Sequence, residues 1–211
     1  KTFTHAYMFF GPRGTGKTTM AKLLAKALNC EQGIGHQCNE CESCKEIING
    51  SHPDVIEIDA ASNNGVEQVR DLINKVNYLP IEGRYKVYII DEVHMMTTSA
   101  FNALLKTLEE PPAHVIFILA TTEPHNILPT ILSRCQRYDF TKVSDADIAN
   151  RLEIVLQSEG IEYEDEALNA IISLADGGMR DALSILDQVL AYSGNTLNED
   201  DVYTLFGLTS K

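Results

Sequence analysis

With 211 residues, 44% of them hydrophobic, the chain is long enough for one large domain with an appendage or for two modest ones. No apolar run reaches the ~18 residues of a membrane span, and no secretory signal opens the chain, so a membrane-embedded or exported protein is not expected. The formal charge of −13 argues against a surface that grips nucleic acid everywhere and confines any DNA contact to a local patch.

The chain opens at Lys1, as a chain trimmed at its N-terminus or a processed protein would. Ala6-Tyr-Met-Phe-Phe10 reads as a buried strand, and Met20, Leu23, Leu24, Ala27 and Leu28 recur at helical spacing beyond it. Between them lies Gly11-Pro12-Arg13-Gly14-Thr15-Gly16-Lys17-Thr18, which fits G-x-x-x-x-G-K-[ST] and is followed by Thr19. A strand, a glycine-rich turn and a helix make a P-loop. Backbone N–H groups from Gly14 to Thr18 can point at a phosphate at the positive end of the new helix. Lys17 would place its ammonium on the β- and γ-phosphates, and Thr18 would offer its hydroxyl to Mg²⁺. The alternative is a glycine-rich turn matching the pattern by chance, which the flanking strand and helix disfavour.

Five cysteines in a nucleotide-binding chain point to a cytoplasmic protein and to metal in place of disulfides. Four of them, Cys30, Cys38, Cys41 and Cys44, form C-x₇-C-x₂-C-x₂-C across a glycine-containing loop. Four thiolates at this spacing can close a tetrahedron around Zn²⁺ with no open position, which describes a structural site. Reduced surface cysteines are the alternative, and His36 is a possible substitute ligand. Cys135 is expected to be free, in a strand of the sheet.

Asp54–Asp59 reads as a second strand, followed by a helix with Asn64 as N-cap and Val66, Val69, Ile73 and Val76 on one face. The third strand, Lys86–Ile90, runs into Asp91-Glu92-Val93-His94, a Walker B pattern. Asp91 can hold Mg²⁺ through water, and Glu92 can orient and deprotonate an attacking water. Thr98 is expected to cap a helix that Pro111-Pro112 ends. Val115–Ala120 has the continuous apolar run of a central parallel strand and stops at Thr121-Thr122. A polar side chain there would sit beside the carboxylates of the third strand, although β-propensity alone also explains the threonines. A fifth strand covers Gln136–Phe140. After Ser144 the pattern is purely helical, with a break at Gly177-Gly178 and a last short helix from about Asn198. The expected domains are an α/β domain over 1–142, including the insert 30–44, and an all-α domain over 143–211.

The chain resembles, nearly end to end, the AAA+ ATPase core of the bacterial DNA polymerase III tau/gamma family, the motor of the sliding-clamp loader. The matching stretches are GPRGTGKT, the four-cysteine insert, DEVHMM, FNALLKTLEEPP, LATTEP, ILSRC and GGMRDALS. The resemblance implies a five-stranded parallel sheet in the order 5-1-4-3-2 followed by a small helical lid. It puts Thr122 at sensor 1, with Thr121 a near miss, and Arg134 at the arginine finger that reaches a neighbouring subunit's ATP. Arg180 falls at sensor 2. It also implies ATP, Mg²⁺ and Zn²⁺ as ligands, and ATPase activity in a polymerase holoenzyme without being its polymerising subunit. The implied partners are delta, delta prime and further tau/gamma subunits, the sliding clamp and primed template DNA. In the family the helix after the second strand faces DNA. Arg70 is retained there, whereas Asn63 and Gly65 stand where basic residues are expected. Against the family pattern, the segment before the P-loop strand that helps hold adenine is absent or nearly so, and the C-terminal collar is missing.

Three other readings compete, one of them a P-loop kinase, for which no acceptor-substrate pocket is recognisable. A DExH-type helicase, suggested by Asp91–His94, needs two motor domains. A zinc-based interaction module would use nucleotide only as a structural ligand, and its ATPase rate would not respond to clamp-loader partners.

Overall fold

A computed structural model describes residues 3–62 and 65–207. The expected cap Asn64, and Asn63 beside it, lie outside the described residues, as does the side chain of Val66. The chain divides into two compact units, residues 1–11 with 17–140, and residues 12–16 with 141–211. Among the described residues no helix is long and apolar enough to cross a membrane.

The first unit is built on a five-stranded sheet. In chain order its strands are β1 (Ala6–Phe10), β2 (Val55–Asp59), β3 (Lys86–Asp91), β4 (Val115–Thr121) and β5 (Gln136–Asp139). All pairings are parallel and the spatial order is β2-β3-β4-β1-β5, the predicted 5-1-4-3-2 read from the other edge. Parallel strands need crossover connections, and here helices supply them: α1 (Lys17–Asn29), α2 (Glu42–Asn49), α3 (Gly65–Lys75), α4 (Thr98–Glu109) and the short α5 (Pro129–Leu132). Because helices cover both faces, β1 and β4 are buried at every position, which explains their unbroken apolar sequences. The alternating side chains build two cores. Met8, Phe10, Tyr88, Ile90, Phe117 and Leu119 pack with apolar residues of α3 and α4. Tyr7, Phe9, Val87, Ile89, Ile116 and Ile118 pack on the other face with Ala21, Ala25 and Leu28 of α1 and Ile47 of α2.

Several local expectations are corrected. The buried face of α1 runs through Ala21, Ala25 and Leu28, while Met20 is exposed. Small residues here let the helix approach the sheet closely, so the large apolar residues are not the best guide to the contact face. Asp54 precedes β2, and its carboxylate accepts N–H bonds from Ile81, Glu82 and Gly83 at 2.7, 2.7 and 2.6 Å. Thr97, not Thr98, caps α4, its hydroxyl accepting the Ala100 N–H at 3.3 Å. Cys135 lies in the turn between α5 and β5, not in a sheet strand. Its thiol is pushed up to about 11 by burial. Phe140 follows β5 but still donates its N–H to Phe10 O at 2.6 Å.

The second unit carries α6 (Asp145–Ser158), α7 (Asp165–Ala175), α8 (Met179–Ser193) and α9 (Glu199–Phe206) around Leu152, Leu156, Ile171, Leu186, Val189 and Val202. Ser144 caps α6 by accepting the Asp147 N–H. The unit is not purely helical. Glu162–Tyr163 (β6) pairs in parallel with Thr196–Leu197 (β7), burying Leu197 completely. Two-residue strands carry no period long enough to be read from sequence.

Candidate nucleotide-binding site and cysteine centre

In a parallel sheet all strands end on one edge, and ligands gather where the strand order reverses. That point lies between β1 and β4, where Phe10 stands opposite Thr121 and the Gly11 N–H donates to Thr121 O at 3.3 Å. The chain leaves β1 through Gly11, where a Cβ would come within 2.4 Å of Phe140 O. Glycine is therefore needed there for close packing. Gly14 and Gly16 follow with φ of 77° and 93°, values that a side chain disfavours. Between them Thr15 Oγ1 donates to Pro12 O at 2.7 Å, while Arg13 and Thr19 stand exposed.

Lys17 opens α1 and is 7% exposed, and its Nζ donates to Gly11 O at 2.7 Å. Burial pulls its pKa below the ordinary lysine value. The carboxylates of Asp91 and Glu92 oppose that shift, which places the acidic pair of β3 within electrostatic reach of the ammonium. Thr18, next to it, is half-buried.

Asp91 ends β3, and its Oδ1 accepts the Glu92 N–H at 2.9 Å. Glu92 then turns sharply, with φ 51° and ψ 42°, into a 3₁₀ turn over Val93–Met95. Its Oε2 lies 3.4 Å from Thr122 Oγ1, which donates to it, and 3.4 Å from His94 Nε2. His94 Nδ1 is 2.8 Å from Thr121 Oγ1. The structure thus brings Lys17, Asp91, Glu92 and Thr122 together, and adds Thr121 and His94. His94 stood in the Walker B stretch without a role of its own. Its position in a turn fixes which way its ring faces, and no sequence period encodes that.

Two other predicted residues of this unit, Arg134 and Arg70, make no recorded contact with this cluster. Arg134 sits in the turn after α5, where its Nη2 pairs with Glu109 Oε1 at 3.7 Å, both side chains about half exposed. Arg70 is an exposed residue of α3. In the second unit, Arg180 is exposed near the start of α8.

Four cysteines form a second centre. The Sγ atoms of Cys30, Cys38, Cys41 and Cys44 all lie within 4.8 Å of one another, with Cys30 at 3.6 Å from Cys38 and 3.9 Å from Cys41. Tetrahedral zinc with Zn–S of ~2.3 Å requires sulfurs ~3.8 Å apart, so the donor set fits the ion. Cys30 follows α1, while Cys41 caps α2 and Cys44 lies in its first turn. Helix α2 carries no expectation from the sequence, because its eight residues are too few to show a helical period. N–H bonds from Cys41 and Glu40 bring the Cys38 thiol down to about 6, whereas burial pushes Cys44 up to about 12. His36 contributes its backbone carbonyl, which accepts from Cys30 Sγ at 3.1 Å. A nearby group, Glu46, His52 and Glu82, is also compact enough for an ion. Both ring nitrogens of His52 are already engaged, Nδ1 by the Asp54 N–H and Nε2 by Ser43 Oγ.

A parallel sheet in this order, with a P-loop after β1 and an acidic pair at the end of β3, defines a P-loop NTPase of the AAA+ type. Residues 1–144 match the family model described as DNA polymerase III, delta subunit. Residues 147–195 match that of the DNA polymerase III clamp loader subunit, ATPase lid domain. The chain belongs to the DNA polymerase III clamp-loader ATPase family. It is 57% identical to DNA polymerase III subunit tau of Bacillus subtilis over 100% of this chain and 38% of that protein. With subunit tau of Escherichia coli it shares 50% identity over 96% of this chain and 32% of that one. With subunit gamma/tau of Mycobacterium tuberculosis the figures are 46%, 91% and 34%. The chain thus spans about a third of the length of these relatives. Among solved structures, the Thermotoga maritima RuvB Holliday junction branch migration motor aligns with a TM-score of 0.63 at 18% identity. That alignment covers 98% of this chain and 62% of RuvB, and it supports the fold alone.

Proposed function

We propose that the chain is the nucleotide-binding part of a clamp-loader motor subunit, which binds and hydrolyses ATP to help place a sliding clamp on primed DNA. The observation that carries this is the convergence of Lys17, Asp91, Glu92 and Thr122 at the switch point of the sheet. In this reading Gly11, Pro12, Arg13, Gly14, Thr15, Gly16, Lys17, Thr18 and Thr19 cradle the phosphates. Thr18 and Asp91 hold Mg²⁺, the latter through water. Glu92 takes a proton from the water that attacks the γ-phosphorus as ADP leaves, and Thr122 helps align it.

Arg134 serves a neighbouring subunit's ATP, and Arg180 links nucleotide state to the lid. The domain limits are taken as 1–142 and 143–211. The cysteine centre holds one structural Zn²⁺. Delta, delta prime and further tau/gamma subunits, together with the clamp, are the protein partners, in the cytoplasm. Arg70 is the candidate DNA contact on α3.

Lys17→Ala tests the core of this reading. Lys17 is the one lysine of the P-loop, so the variant should lose measurable ATP binding in calorimetric titration while keeping its far-UV spectrum. An unchanged affinity would remove the P-loop assignment. ATP hydrolysis that fails to rise when clamp-loader partners and primed DNA are added would favour the zinc-based interaction module.

A further inference from the structure

We infer that His94 is a positioning residue for Glu92: its imidazole holds the carboxylate that takes the proton from the attacking water. The inference rests on the ATPase reading above. Glu92 occupies the left-handed region of backbone space, which a residue with a Cβ disfavours, and such outliers concentrate at working sites. Its side chain has three rotatable bonds, so the turn alone does not aim the carboxylate. The same 3₁₀ turn folds His94 back until Nε2 stands 3.4 Å from Glu92 Oε2. The imidazole is itself held. Its side chain is 8% exposed, and Nδ1 is anchored at 2.8 Å on the fully buried Thr121 of β4.

Proton accounting assigns the direction of this relay. Thr121 Oγ1 accepts the Glu123 N–H at 3.0 Å and keeps both a lone pair and its own hydrogen, so it can meet either tautomer at His94 Nδ1, and the carboxylate facing Nε2 decides between them. A neutral imidazole accepting at Nδ1 carries its proton on Nε2, the atom that faces Glu92. The reverse tautomer would turn a ring lone pair toward a carboxylate, which is repulsive. The chain therefore runs from the Glu123 N–H to Thr121 and from the Thr121 hydroxyl to His94, whose Nε2–H faces Glu92 Oε2 across 3.4 Å. Thr122 adds a second donor to the same oxygen. With Oε2 turned toward these two groups, Oε1 is the oxygen left to face the attacking water. At 3.4 Å the Thr122 bond is long and His94 Nε2 is in close approach only, and catalytic hydrogen bonds commonly tighten only when the reactants are in place.

The test is single-turnover ATP hydrolysis by the full-length protein, with ATP affinity measured separately. His94→Leu keeps the bulk and removes both nitrogens, whereas His94→Gln keeps an N–H donor near the position of Nε2. A general base contributes roughly 10²–10⁴-fold to rate, so losing its alignment should lower turnover by roughly 10–100-fold in His94→Leu. ATP affinity should stay unchanged, and His94→Gln should retain most of the rate. Thr121→Val, which preserves shape and removes the relay hydroxyl, should lose turnover in the same direction. In a Glu92→Gln background, His94→Leu should add nothing, because a positioning residue has no effect once its target is gone. Normal turnover in His94→Leu, or a loss that multiplies with Glu92→Gln, overturns the inference. A wild-type protein that hydrolyses no ATP overturns the ATPase reading itself, and a wild type that does so beside an equally active His94→Leu overturns only the role of His94.

Discussion

Asp54 shows how one residue can set the geometry of a site it never touches. It is 1% exposed, and a buried carboxylate is tolerated only where donors surround it. Three consecutive N–H groups, from Ile81 to Gly83, supply them, which pins the loop that feeds β3 and so fixes where Asp91 and Glu92 emerge. Gly83 belongs to the same arrangement, since a Cβ there would come within 2.8 Å of Asn29 Oδ1. Asp54→Ala should lower unfolding stability by at least ~1.5–3 kcal/mol, the worth of one charge-assisted hydrogen bond, because three donors lose one acceptor. Urea denaturation measures it, and a change within about 0.5 kcal/mol, the usual range for a neutral surface substitution, would mean that water or another group replaces the carboxylate.

At the scale of elements, the cysteine insert joins α1 to α2 and is tied to the loop before β3 by hydrogen bonds between side chains and backbone. Arg84 Nη1 donates to Cys30 O at 2.6 Å, and the Asn29 amide bonds the backbone of Arg84 and Tyr85. Structural zinc in small peptides contributes on the order of 10–16 kcal/mol, there equivalent to folding itself. Here the sheet has separate cores on both faces, so removing metal should unfold the insert and spare the rest. Elemental analysis of reduced protein should find one zinc per chain, lost in Cys41→Ser. Chelation should abolish the protection of α2 amides from hydrogen exchange while β1 and β4 stay protected. Acidification should release the ion, because the bound ligands are thiolates and protons compete for them. Zinc-free protein with α2 fully protected would contradict the structural role.

For the whole molecule, the decisive question is which residues serve a neighbour. Arg134 lies in the turn after α5 in an exposed pair with Glu109, and such pairs are worth about 0–1 kcal/mol. Removing it should therefore leave folding unaffected, so a lost activity cannot be ascribed to instability. Arg134→Ala should keep ATP affinity in the isolated subunit yet reduce hydrolysis in the assembled loader by roughly 10³–10⁵, the range for arginine fingers in related hydrolases. Mixing in Lys17→Ala subunits, which keep Arg134, should restore part of the turnover. An Arg134→Ala loader that hydrolyses ATP normally with clamp and primed DNA present would leave the arginine with only its Glu109 pair.

The sequence by itself determined the sheet, its order through the family resemblance, the glycine-rich turn after β1, the acidic pair after β3 and the grouping of four cysteines. These are legible because each is written locally, as an unbroken apolar run, a fixed glycine spacing or a short cysteine repeat. Helix α2, the paired β6 and β7, and the true cap Thr97 were not legible, since each is too short to show a period or is decided by one hydrogen bond. The helical spacing in α1 includes the core residues Leu24 and Leu28, but Ala21 and Ala25 of the same face were not singled out, because alanine carries little hydrophobic signal. Only tertiary structure decided the surroundings of Glu92. His94 is two residues from it in sequence and Thr121 nearly thirty, yet β4 must lie beside β3 before the hydroxyl, the imidazole and the carboxylate can form one chain of donors. Side-chain direction in a turn, and the partner across the sheet, are properties of the folded backbone that no spacing along the chain encodes.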